Sequence, residues 1–109
     1  MNEKVFVAKI YWLKPDQGGR KQGVPLHIKK YCPIVSVDGE KIFSGSTYGL
    51  LCYSFEELSE YVTLSQIRFL NTTAAPDVLY VGAKLELYEG AKKVAEGVVV
   101  KNSDFKFVF

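Results

Sequence analysis

A chain of 109 residues with a net charge of +2 has room for one hydrophobic core, so a single domain over residues 1–109 is expected. At 48% apolar and 24% charged it is too apolar for intrinsic disorder, and no apolar run approaches the roughly 20 residues that span a bilayer. In the opening Met1-Asn-Glu-Lys-Val-Phe-Val-Ala8, Lys9 interrupts an apolar stretch too short for a secretory signal, so the expected location is cytoplasmic.

From Val5 to Leu13 the residues alternate as in a strand, with Phe6, Ala8, Ile10 and Trp12 on one face. Pro15 and Gly18-Gly19 end it, because proline lacks the ladder donor and glycine permits positive φ. Arg20 and Lys21 then stand at the tip of a turn. A second strand is expected near Val24–Ile28 and a third over Tyr31–Val37, with Pro33 placing the latter at an edge or bulge. Asp38-Gly39 is a hairpin signal, returning through Lys41-Ile-Phe43. Ser44 to Gly49 reads as a loop and Leu50 to Tyr53 as a short buried strand.

Ser54-Phe-Glu-Glu-Leu-Ser-Glu-Tyr-Val-Thr63 carries the spacing of a capping box between Ser54 and Glu57. Phe55, Leu58 and Val62 would share one helical face, with Glu56, Glu57 and Glu60 in water, so a short helix is expected over 54–63. The three glutamates read as a solvated face, with a cation or a basic partner as the alternative. Gln66 to Leu70 is a strand candidate and Asn71 to Asp77 a loop. Ala83 to Glu89 alternates, turns at Glu89-Gly90 and returns through Val94 to Val100, the clearest hairpin in the chain. Gly97 in the return strand indicates a bulge or a close backbone approach. Many short strands with one small helix favour a closed all-β barrel over a sandwich.

Cys32 and Cys52 lie in apolar surroundings and read as free, buried thiols; with His27 they match no zinc spacing, so no metal is expected. Charge is uneven along the chain. Residues 1–31 hold seven Lys/Arg against Glu3 and Asp16, whereas residues 32–80 hold Lys41 and Arg68 against six carboxylates. The basic first third is either a partner-facing surface or a solvated one. Catalysis finds little footing: His27 has no evident partner, no serine lies in a nucleophile elbow, and no G-x-x-x-x-G-K-[ST] loop is present to cradle phosphates. No enzyme, cofactor or bound nucleotide is expected.

Two segments carry a family resemblance. Ala8-Lys-Ile-Tyr-Trp-Leu-Lys-Pro-Asp-Gln-Gly-Gly-Arg20 resembles the opening of the third, C-terminal barrel domain of elongation factor Tu, approximately AEVYILSKDEGGR, with Ala8, Tyr11, Leu13, Gly18, Gly19 and Arg20 in register. Glu89-Gly-Ala-Lys-Lys-Val-Ala-Glu-Gly-Val-Val99 is similar to that family's closing hairpin, approximately EGGRTVGAGVV, at Glu89, Gly90, Val94, Gly97, Val98 and Val99. Tyr31-Cys-Pro-Ile-Val35 keeps the tyrosine and proline of the family's YRPQF stretch but replaces arginine and glutamine with Cys32 and Ile34. In the family that stretch faces the GTPase domain, so the change argues against docking of such a domain in the familiar way. Residues 36–80 show little resemblance.

The resemblance implies a six- or seven-stranded antiparallel barrel and no GTPase activity, which belongs to another domain of the family. Two functional expectations follow. The first is a stand-alone protein-binding module, of a bacterial regulatory or immunity type, presenting Gly18, Gly19, Arg20 and nearby Trp12, Lys21, Lys29, Lys30 and Tyr31 to a partner, since Arg, Trp and Tyr most often carry interface energy. The second is an RNA-binding module, because the related barrel touches tRNA; basic residues interleaved with aromatics suit phosphate contact and stacking. Against it, the net charge of +2 is small for a nucleic-acid footprint.

Overall fold

The alternation from Phe6 to Trp12 produces strand β1 (Phe6–Trp12), which turns Phe6, Ala8, Ile10 and Trp12 inward and leaves Tyr11 exposed. In the computed structural model, which describes residues 5–39, 48–70, 79–104, 106 and 107, five further strands follow. They are β2 (Ile34–Val37), β3 (Tyr48–Ser59), β4 (Val62–Phe69), β5 (Lys84–Glu89) and β6 (Lys92–Asn102). All pair antiparallel in the order β1-β4-β3-β2-β5-β6, and β6 returns to β1. The result is the closed all-β barrel that the strand pattern indicated. Closure removes the open edges that would template aggregation.

Inward side chains of every strand fill the barrel, among them Ile10, Val35, Leu50, Ile67, Leu85, Leu87, Val94 and Val99, all fully buried. Each large aliphatic of this kind contributes about 1.5–3 kcal/mol relative to exposure. One side of the interior is polar. Ser54, Thr63 and Ser65 are fully buried, with Ser54 Oγ 2.7 Å from Ser65 Oγ and 3.2 Å from Thr63 Oγ1. Trp12 Nε1 donates to Thr63 Oγ1 at 2.9 Å, so these hydroxyls enter the core with partners.

That cluster explains why the segment 54–63 is not the helix its spacing suggests. The end of β3 and the start of β4 occupy it, joined by a turn at Glu60-Tyr61 in which Tyr61 takes φ 64. Ser54, the expected helix cap, is instead a buried inward residue. The β3–β4 register slips between Ser54 and Glu56 and again between Glu57 and Ser59, making Phe55 and Leu58 the extra residues of two bulges. Two bulges three residues apart convert the two-residue strand period into an apparent helical one.

The expected strand over Val24–Ile28 is also absent. This stretch has positive φ at Gly23 and His27 and makes only an isolated bridge from Leu26 to Ser54, with His27 N donating to Ser54 O. Cys52 N and Leu50 N then donate to the carbonyls of Tyr31 and Pro33, so an irregular segment covers the flank of β3 before β2 begins. Asp38 and Gly39 form the expected turn, with φ 53 and 79, and Asp38 accepts hydrogen bonds from Tyr80 Oη and Lys84 N. The return over Lys41–Phe43 and the loop over 71–77 lie outside the described residues. Tyr48 and Gly49, expected in a loop, begin β3.

In the closing hairpin the bulges fall at Val94 and Val100, where the β6 registers with β5 and β1 slip, and not at Gly97. Gly97 pairs regularly with Ile10 and Leu85, and the close approach is what holds: a Cβ there would lie 2.6 Å from Ile10 Cδ1. Both cysteines are free, but Cys32 is exposed rather than buried, because it precedes β2 on the outer flank. Burial pushes the Cys52 thiol up to about 12. A thiol reagent is therefore expected to titrate one thiol per native chain and two after denaturation; two reactive native thiols would contradict the interior placement of Cys52. Among the described residues no helix is long and apolar enough to cross a membrane.

Candidate interaction surface on the braced loop

Beyond β1 the chain enters a short helical turn, Pro15–Gln17, closed by reciprocal bonds between Lys14 and Gln17: Gln17 N donates to Lys14 O and Lys14 N donates to Gln17 Oε1. Gly18 leaves it in the left-handed region at φ 90. Gly19 is buried against the backbone it has just left, with its N–H on Lys14 O at 2.9 Å. The two glycines fold the chain so tightly that Arg20 returns to the barrel.

Arg20 Nε donates to Glu89 Oε2 at 2.6 Å and Nη1 donates to Gly23 O at 2.5 Å. Its guanidinium lies 5.0 Å from the Tyr31 ring centroid, and the Tyr31 hydroxyl donates to the same Glu89 oxygen at 2.6 Å. Tyr31 in turn meets Trp12 at 5.8 Å between centroids, tilted by 57°. Arg20, Tyr31 and Trp12 thus form a stack running from the surface down to the buried Thr63. Burial, reinforced by the Glu89 hydrogen bond, pushes the Tyr31 phenol up, so it stays a proton donor across the physiological range. No protein-family model matches the chain, and no curated protein matches it either.

The structure therefore divides the expected contact residues. Trp12 is 5% exposed and offers a partner almost no surface; Gly18 and Gly19 shape the turn, while Arg20 and Tyr31 face one another. Lys21, Lys29 and Lys30 are exposed and form no ion pair among the described residues, whereas Lys14 approaches Glu60 at 3.8 Å. Ile28, beside Lys29, is 50% exposed. The residues flanking Arg20 and Tyr31 thus expose Lys21, Lys29 and Lys30 and the aliphatic Ile28, chemistry suited to an anionic surface with an apolar contact. Among the described residues no group of three His, Cys, Asp or Glu is placed to hold a metal. Glu89, the hub of the brace, has no local pattern that marks it beyond its place at the hairpin turn. The signal available was its place in the second of the two resembling segments, of which Arg20 closes the first.

Arg20→Ala is expected to lower stability by about 1–2 kcal/mol. Hydrogen bonds to charged groups contribute about 1.5–3 kcal/mol, discounted here because Glu89 is partly open to solvent. Arg20→Lys should recover only part of the loss, since an ammonium cannot keep both the fork and the stacking on Tyr31. Denaturant melts check this; an unchanged midpoint for Arg20→Ala would make Arg20 a contact residue instead of a brace.

Proposed function

We propose that the chain is a cytoplasmic protein-binding module rather than an enzyme, and that Lys21, Lys29 and Lys30 engage an acidic partner surface around Ile28. The observation that carries this is the brace. Because Arg20 is paired with Glu89 and stacked on Tyr31, the backbone at both residues is held, which reduces the ordering cost of association, and Lys21 and Lys30, their chain neighbours, form no ion pair among the described residues. Electrostatic complementarity of this kind mainly steers encounter and partner choice.

Kinship to the C-terminal barrel domain of elongation factor Tu is part of the proposal. What supports it is that the resembling segments converge in space: Arg20 from the first, Glu89 from the second and Tyr31 from the partly preserved stretch meet at one carboxylate. A role in translation or its regulation would follow from that kinship. RNA is the less favoured partner, because Trp12 and Tyr31, the aromatics of the expected contact set, are engaged with each other and are not free to stack on bases.

The test is affinity capture with the tagged full chain, repeated after nuclease treatment and at raised salt, alongside a Lys21→Glu/Lys29→Glu/Lys30→Glu variant. A protein partner retained through nuclease and lost with the charge reversal is expected. Recovery that disappears with nuclease would assign the surface to RNA. Capture unaffected by the charge reversal would remove the lysines from the interface.

A further inference from the structure

Outward positions of a barrel with a filled interior are ordinarily polar, yet on β1, at the residue before it and on β3 several are apolar and covered: Val7 is 5% exposed, Val5 8% and Leu51 3%. Part of the cover comes from the segment after β6. Ser103 N donates to Val5 O at 2.9 Å, and Gln66 Nε2 donates to Ser103 Oγ at 3.2 Å and to Lys106 O at 3.1 Å. Phe107 is buried against Val5 and Leu51, beside Tyr53, with the Arg68 guanidinium 5.6 Å from its ring centroid. Among the described residues this strap leaves the neighbouring part of the face open as a groove of about 460 Å³, walled by Val7, Tyr53, Phe55 and Leu64 and bordered by Glu56, Lys101, Asp104 and Lys106.

We propose that this groove receives an extended peptide segment of a partner protein, lying beside the strap with apolar side chains against Val7, Leu64 and Phe55. The inference rests on the protein-binding reading and gives it a second, apolar contact. The groove continues a face on which Phe107 is already seated, and that seat displays the chemistry the face accepts: a buried aromatic side chain and the Lys106 backbone carbonyl bonded to Gln66. The border decides against a polyanion. Two lysines alternate with two carboxylates, so phosphates drawn to Lys101 and Lys106 would also meet Glu56 and Asp104, whereas a peptide of mixed charge complements all four. The volume lies in the range of pockets that bury compact ligands, about 300–1,000 Å³, enough for a few apolar side chains. Gln66 Oε1, buried beside the groove, has no hydrogen-bond partner among the described residues and is an acceptor of the kind a docked backbone N–H satisfies.

The experiment selects displayed random peptides of about 12 residues, roughly 40 Å when extended, on the intact chain. Binding is then measured on the wild type, Leu64→Lys and Phe55→Ser. Both positions are half-buried on the outside, and melts verify that the variants fold. The expected result is a class of peptides with alternating apolar residues whose affinity falls about tenfold or more in each folded variant, with backbone-amide NMR shifts at Tyr53, Leu64 and Gln66. No enriched class, or peptides that bind both variants as tightly as wild type, would overturn it. So would a single-stranded RNA of similar length that binds the wild type and is lost in the same variants. If the groove fails while the lysine-dependent capture succeeds, the protein-binding reading stands without the groove; if both fail, both are lost.

Discussion

Gly19→Ala is expected to lower the unfolding free energy by about 3 kcal/mol, at the upper end of the overpacking range. The added Cβ would lie 1.9 Å from the Leu13 carbonyl oxygen and 2.4 Å from its carbon, and backbone atoms cannot swing aside as a side-chain end can. Relief requires the Leu13-Lys14 backbone to move, yet Leu13 N is bonded to Val94 O and Lys14 O holds Gly19 N, so the loop and the end of β1 would shift together. Arg20 would lose its line to Glu89 as a consequence. Gly18→Ala is the control: its Cβ meets nothing within 4 Å, leaving only the left-handed conformational cost, about 1–2 kcal/mol. Urea midpoints of the two variants decide the matter, and equal midpoints would mean that the tight approach at Gly19 is not what holds the loop.

Gly97→Val should cost about 1–3 kcal/mol by the same mechanism acting in the core. Gly97 has no positive φ, so backbone strain is not the reason. Its missing side chain is the space that Ile10 fills, with Ile10 Cδ1 2.6 Å and Lys9 O 2.9 Å from the position of the absent Cβ. Valine's good strand propensity cannot compensate where there is no volume to occupy. Combining the change with Ile10→Val, which removes that terminal methyl, should make the pair less damaging than the sum of the single variants. A midpoint for Gly97→Val equal to or above wild type would show that Ile10 repacks freely and that the β1–β6 contact is not tight.

The one-dimensional pattern was enough for whatever depends on neighbours along the chain. Period-two alternation placed β1 with its inward face at Phe6, Ala8, Ile10 and Trp12, and Glu89-Gly90 located the closing hairpin, because a strand face and a tight turn are local properties. The isolated Gly97 in a strand pattern indicates a bulge or a close approach, and only the β1–β6 pairing, with Ile10 against it, decides for the close approach. In the segment 54–63 two bulges imitate helical spacing, and only pairing with β4 shows that Ser54 belongs inside with Thr63 and Ser65. The candidate site depended still more on tertiary structure. Arg20 and Glu89 are 69 residues apart, so whether Arg20 faces a partner or the barrel is settled by the β1–β6 closure that brings the loop after β1 against the β5–β6 turn. The outer groove was hidden by the same helical reading, since Tyr53, Phe55 and Leu64 share a surface only when β3 and β4 lie side by side under a strap from the far end of the chain. Local sequence sets which way each strand residue faces; which faces meet is decided by register and barrel closure, and these arise from packing contacts no short window contains.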